Sequence, residues 1–223
     1  MSAAVSVTYY LEVLSSWCHW AEPAWTELKQ RYAGRVDFHW RIALMNPADF
    51  PVSAAQCDWF YQRSGVHVGS PRKLNSGWFE TARAGRYEVA DYVAEAGRDF
   101  LGNDDDSLRL ALSHAAMIAG RKIGDIAVAT AVAAEATGLD ATDLRAAAES
   151  SAVRARVELS TAEFFRHQLN QRPSFIVTNS IGDKVVLSGT WRAAPIVAAI
   201  DSLLEDAARY TSHAAHFGSA PGS

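Results

Sequence analysis

Cys18 stands in the stretch "SSWCHW" (15–20), between Trp17 and Trp20 and beside His19. The thiolate is the reactive form, and an ordinary cysteine, with a pKa of about 8.5, is only a few per cent ionised at neutral pH. A helix N-terminus would bring partial positive charge and unpaired N–H groups. A drop to a pKa of about 6.5 would leave roughly three quarters of it as thiolate at pH 7. His19 either assists that ionisation and shuttles a proton, or is an exposed loop histidine. Trp17 and Trp20 offer aromatic walls for a flat, conjugated substrate. Three residues after Cys18, where a dithiol motif places its second sulfur, the chain has Ala21. This motif therefore closes no disulfide, and a mixed disulfide must be resolved by an outside thiol or by Cys57, the other cysteine. Cys57 lies in a short helical pattern without redox spacing and reads as core. The remaining histidines are scattered, with no paired ligand spacing, so no metal site is expected.

The elements around Cys18 follow from hydrophobic periodicity. Val5, Val7, Tyr9, Leu11 and Val13 alternate along "VSVTYYLEVL" (5–14), and Val36, Phe38, Trp40, Ile42 and Leu44 along "RVDFHWRIAL" (35–44). Between them "PAWTELKQRYAG" has helix chemistry, with Pro23 suited to a first turn and Gly34 to a C-terminal cap. Strand, helix and strand at this length make a βαβ unit with adjacent parallel strands. Either the helix starts near Cys18 and Pro23 kinks it, or it starts at Pro23 and leaves Cys18 on a loop. Signals from 46 to 81 are mixed, with one short helix at "SAAQCDWFYQRSG". From 86 to 168 the pattern is helical, with Asp104 to Asp106 as a cap, a helix closed by Gly138, and one or two more before 168. Strand pattern returns at "PSFIVT" (173–178) and "KVVLSG" (184–189), joined by the turn "NSIGD" into an antiparallel hairpin, and a last helix starts near Pro195.

With 223 residues, 49% of them hydrophobic, the chain can bury a sizeable core. The net charge is −4, without a basic run or basic–aromatic stripe, so nucleic acid is not an expected partner. No stretch approaches the ~20 apolar residues of a membrane span. The N-terminus has no charged leader and runs directly into strand pattern. It reads as a cytoplasmic protein, in which both cysteines are free thiols.

The order βαβ, helical block, ββα resembles the thioredoxin fold with a helical insertion, and more narrowly the DsbA-like superfamily. Its FrnE-like, 2-hydroxychromene-2-carboxylate isomerase and kappa-class glutathione transferase branches are the nearest. "SSWCHWAEPAW", "FHWRIALMNP", "GRKIGDIAVATAVAAEATGLD" and "RPSFIV" carry the similarity, over residues 5 to 205. The resemblance implies an α/β, thioredoxin-like domain from 1–45 and 170–210, a helical insertion over 46–169, and a disordered tail at 211–223. It implies a cis bond before Pro173, opposite the thiol. Arg172 would then hold the thiolate or clamp a substrate carboxylate, or remain a surface arginine. Glutathione or another low-molecular-weight thiol is the implied cofactor, and a homodimer the implied assembly. The chain departs from the pattern at Ala21, at Cys18 where the isomerase and transferase branches carry serine, and at Arg172, where a small or β-branched residue is usual.

Two activities fit a lone thiol. In a small-molecule isomerase, a thiolate (Cys18, or a small thiol bound beside it) adds reversibly to a conjugated double bond, which rotates before elimination restores it. The substrate would be an aromatic or polyene carboxylic or thioester compound. In a monothiol disulfide oxidoreductase, Cys18 attacks a disulfide and glutathione or mycothiol resolves the product. The isomerase is the preferred expectation, because it needs one thiol and no net redox.

Overall fold

Residues 3–218 are described by a computed structural model. Strands β1 (Val5–Leu11), β2 (Val36–Ile42), β3 (Ser174–Asn179) and β4 (Lys184–Ser188) form one sheet in the order β2-β1-β3-β4. β1 pairs with β2 in parallel, with Tyr10 opposite Arg41, and antiparallel with β3; β3 and β4 form the antiparallel hairpin. The alternation of side chains sends Tyr9 and Phe175 to one face and Tyr10 and Ile176 to the other. On the first face lie helices α1 (Ser16–Arg31) and α8 (Ala193–Phe217), where Tyr9 stacks on Phe175 at 4.7 Å and meets Trp25 at 5.1 Å. On the second, Tyr10 and Ile176 pack with Phe164 of α7 (Ser151–Arg166) and with Leu169. The strands, the parallel pair and the hairpin are those the periodicity predicts.

Between β2 and β3 come α2 (Ala54–Val68), α3 (Val89–Leu101), α4 (Ser107–Met117), α5 (Ile126–Thr137) and α6 (Ala141–Ala148), followed by α7. α3 is their axis, buried along Ala90, Asp91, Val93, Ala94 and Ala96. A Cβ on Gly97 would stand 2.5 Å from Leu108 Cδ1, so any side chain there would make Leu108 of α4 shift. Asp125 caps α5 through the Ala127 N–H, and Gly138, at φ 75°, ends it as expected. One apolar core runs from the sheet into these helices.

Arg109 of α4 ties the two regions together. It is buried, donates to Glu22 Oε1 of α1 at 2.6 Å and to Asp106 Oδ1 at 2.6 Å, and sits over Trp40. Removing one member of such a network leaves the others buried and uncompensated. Arg109→Met is expected to lower stability by about 3 kcal/mol, read from urea unfolding midpoints.

One open question is decided and one expectation corrected. Of the two starts left open, α1 takes the earlier, at Ser16; Pro23 lies inside it, at the loss of the bond its N–H would have given the His19 carbonyl. The expected disordered tail is helical as far as Phe217, because the alanine-rich pattern of α8 continues past residue 210; residues 219–223 lie outside the described region. Among the described residues no helix is long and apolar enough to cross a membrane.

Candidate active site

Ser15 is the N-cap of α1. Its backbone is extended, and its hydroxyl accepts the Cys18 N–H at 3.4 Å. The N–H groups of Ser16 and Trp17 have no carbonyl within the helix to bond, so the start of α1 presents free donors. Successive helical residues turn by about 100°, so Trp17, Cys18, His19 and Trp20 point four ways rather than forming one wall.

Trp17 lines a cavity of about 140 Å³ together with Ser15, Phe50, Cys57, Tyr61 and Trp78, and meets His67 edge-on at 5.4 Å. Cys18 points into the core and is 3% exposed. His19 turns to α4, with Nδ1 3.2 Å from Ser113 Oγ; burial and the neighbouring His114 lower its pKa, so it is neutral at pH 7. Trp20 donates to Ser64 Oγ of α2 at 3.1 Å, on a separate surface groove shared with Trp191.

The expectation of a reachable, acidified Cys18 thiolate is overturned. Burial pushes the thiol up to about 12; the hydrogen bond from the Ser15 hydroxyl offsets only part of this, and the charges of Glu12 and Glu22 add to it. The N-terminal dipole acts on this sulfur, but loss of water outweighs it. Ser15 is the residue that sequence reasoning missed. Positions three apart in a first turn are neighbours, so the pair assembled here is Ser15–Cys18, not Cys18–Ala21. Ser15 is part of the cavity lining and Cys18 is not. The legible signal was the serine three residues ahead of Cys18 at a helix start.

Cys57, read as core, is 1% exposed yet contributes to the cavity wall. Its thiol is raised by burial to about 11, and Tyr61, whose hydroxyl accepts the Trp78 Nε1–H at 2.6 Å, hydrogen-bonds it. Both cysteines are free.

Beneath the start of α1 lie two carboxyls, Glu12 and Asp91, 1% and 0% exposed. The Val13 N–H donates to Asp91 Oδ1 at 3.1 Å, whereas Asp91 Oδ2 and both Glu12 oxygens have no partner. Burial raises both pKa values, and Asp91 adds to the rise on Glu12, so the pair holds a proton at neutral pH.

The Arg172–Pro173 peptide is cis, as the resemblance implied. Arg172 does not reach into the cavity. Its Nε donates to the Ala43 carbonyl at 2.6 Å, a second nitrogen donates to Leu44, and the guanidinium lies 4.4 Å from the Phe164 ring. A side chain committed to the end of β2 is a brace rather than a carboxylate clamp. Of the residues singled out in the sequence, the structure brings Trp17 to the cavity and places Cys18 just behind it. His19, Trp20 and Arg172 face elsewhere.

No protein-family model matches the sequence, and no curated protein does. Solved structures do match. A protein from Nitrosomonas europaea provisionally named a protein disulfide isomerase is 13% identical, with a TM-score of 0.70 over 92% of this chain and 98% of that one. The cytosolic disulfide reductase DsbM of Pseudomonas aeruginosa, solved with GSH, is 15% identical, with a TM-score of 0.64 over 93% and 99%. DsbA of Pseudomonas aeruginosa is 11% identical, with a TM-score of 0.60 over 95% and 88%. With the sheet order, the cis Arg172–Pro173 bond and the helical insertion after β2, these similarities establish that the chain has the DsbA-like thioredoxin fold.

Proposed function

We propose that the protein is a thiol-dependent small-molecule isomerase whose nucleophile is glutathione or another low-molecular-weight thiol seated at Ser15, and not Cys18. The observation that carries this reading is the Ser15–Cys18 pair: Ser15, though buried, belongs to the cavity lining, while the Cys18 sulfur does not and is buried and protonated. When bound, such a thiol supplies a nucleophile that adds reversibly to an electron-poor conjugated double bond, which turns as a single bond before elimination restores it, with no net redox. Ser15 would hold the thiolate sulfur at the start of α1 by donating its hydroxyl hydrogen, and the free N–H groups of the first turn would stabilise the same charge. The cavity of about 140 Å³ would seat only the reacting end of a substrate, with Trp17 and Phe50 in its lining as apolar contacts for a flat aromatic or polyene acid or thioester that extends outward. The solved complex of DsbM with GSH supports a small-thiol site on this fold. The setting is cytoplasmic and the partner a small molecule; neither nucleic acid nor a metal takes part.

A second reading, monothiol disulfide exchange, is favoured by the names of the structural neighbours, a disulfide reductase and a DsbA. It requires the Cys18 sulfur to be uncovered. The test runs both assays on one preparation supplied with glutathione. A cis aryl-enone acid is followed by chromatography for its trans isomer, and a glutathione mixed disulfide is followed for reduction. Glutathione-dependent isomerisation is expected. Disulfide turnover without isomerisation would replace this reading with the second.

A further inference from the structure

A second cavity, of about 310 Å³, opens on the far side of the sheet, at the edge strand β2 between α3, α7 and the turn joining α3 to α4. Three arginines line it, Arg41, Arg98 and Arg156, together with Asn103, Glu95 and Glu163. Which of these charges are already neutralised decides what the cavity can take.

Glu95 is buried and shared. Arg98 donates to its two oxygens at 3.1 and 3.3 Å, and Arg156 Nε to one of them at 2.9 Å. Arg156 also donates to Asp99 Oδ2 at 3.0 Å. Glu95 and Asp99 are therefore satisfied within the protein. Arg98 is not. Its side chain is 8% exposed and lies 4.9 Å from the Trp40 ring, and its Nε–H has no hydrogen-bond partner. A buried guanidinium donor left unpaired is costly and calls for a partner. Arg41, half-buried on β2, makes no ion pair or side-chain hydrogen bond among the described residues, and neither does the Asn103 amide. Glu163, on the opposite wall, is the one acid there not held by an arginine; the Tyr10 hydroxyl hydrogen-bonds it, and His167 Nε2 stands 4.0 Å away.

We propose that this cavity is a second ligand site, for a small oxyanion-bearing metabolite whose phosphate or carboxylate sits between Arg41 and Arg98. The planar guanidinium of Arg41 suits two-pronged recognition of either group. Asn103 gives a neutral donor at the mouth, and Glu163 accepts a hydroxyl from the rest of the ligand. The site stands apart from Ser15 and is independent of the isomerase reading.

The test titrates the full chain with sodium phosphate and, separately, with sodium malate, each against sodium chloride at equal ionic strength, by calorimetry and thermal unfolding. Saturable binding and a raised Tm with at least one of the two are expected, and the one that acts identifies the ligand's anionic group. Arg41→Gln is expected to weaken that binding by about 10-fold or more. Asn103→Asp, in a turn where folding is undemanding, should weaken it as well. Arg121→Gln removes a remote surface charge and should leave affinity unchanged. Equal responses to chloride and to both probes, or an equal loss in Arg121→Gln, would overturn the proposal.

Discussion

Ser15→Ala is expected to lower glutathione-dependent turnover by about 100-fold, the usual consequence of removing one preorganised donor from a developing or resident anion. Cys18→Ala, by contrast, should leave turnover within a few-fold and cost about 1 kcal/mol of stability through the small void it opens in the core. This reverses the expectation drawn from sequence, in which Cys18 carried the chemistry. Because Ser15 also caps α1, a loss in Ser15→Ala has a structural component of about 1 kcal/mol. Ser15→Gly separates the two effects, since glycine caps nearly as well but has no hydroxyl. Activity lost equally in both variants, with stability retained in the glycine one, assigns the hydroxyl to the reaction. Activity retained in Ser15→Gly and lost in Cys18→Ala would return the role to the sulfur. Ser15→Cys would place two thiols one helical turn apart, and disulfide exchange should then appear where the parent has little.

The second large effect is a fall in stability as pH rises from 6.5 to 8. Glu12 and Asp91 are both raised in the folded chain, above ordinary values of about 4.3 and 3.9. Above those values the folded protein binds more protons than the unfolded one, so the folding free energy declines with increasing pH until the folded pair has titrated. Each retained proton contributes a slope of up to about 1.4 kcal/mol per pH unit. His19 acts in the opposite direction, because its lowered pKa makes stability rise with pH, but only up to its unfolded value of about 6.5. Cys18 enters only above about 8.5. The window from 6.5 to 8 therefore belongs to the carboxyl pair. Urea midpoints across it should drift down in the parent and flatten in Glu12→Gln, which is also expected to be the more stable protein at pH 8 by about 2 kcal/mol. A flat parent profile would show that the pair is not protonated in the fold.

Local pattern sufficed for the frame of this molecule. The alternation in β1 and β2, the Gly138 end of α5, and the short turn between β3 and β4 each depend on residues within a few positions of one another, so they can be read along the chain, whereas the acidic cap expected at Asp104 to Asp106 places Asp106 at the start of α4 without a side-chain capping bond. The topology followed from their order. The site itself was legible only as a neighbourhood: "SSWCHW" does lie at the start of α1 behind a strand, and Trp17 does reach the cavity. Which neighbour faces it was decided by helical phase, since a one-position change in the start of α1 rotates every side chain by about 100°. The burial that keeps Cys18 protonated comes from groups beyond its own segment. The pairing of Glu12 with Asp91 and the turning of Arg172 to the Ala43 carbonyl join segments 79 and 129 residues apart. Residue type and spacing set what chemistry Ser15 and Cys18 can do. The packing that exists only once distant segments have closed around them decides which of the two lines the cavity.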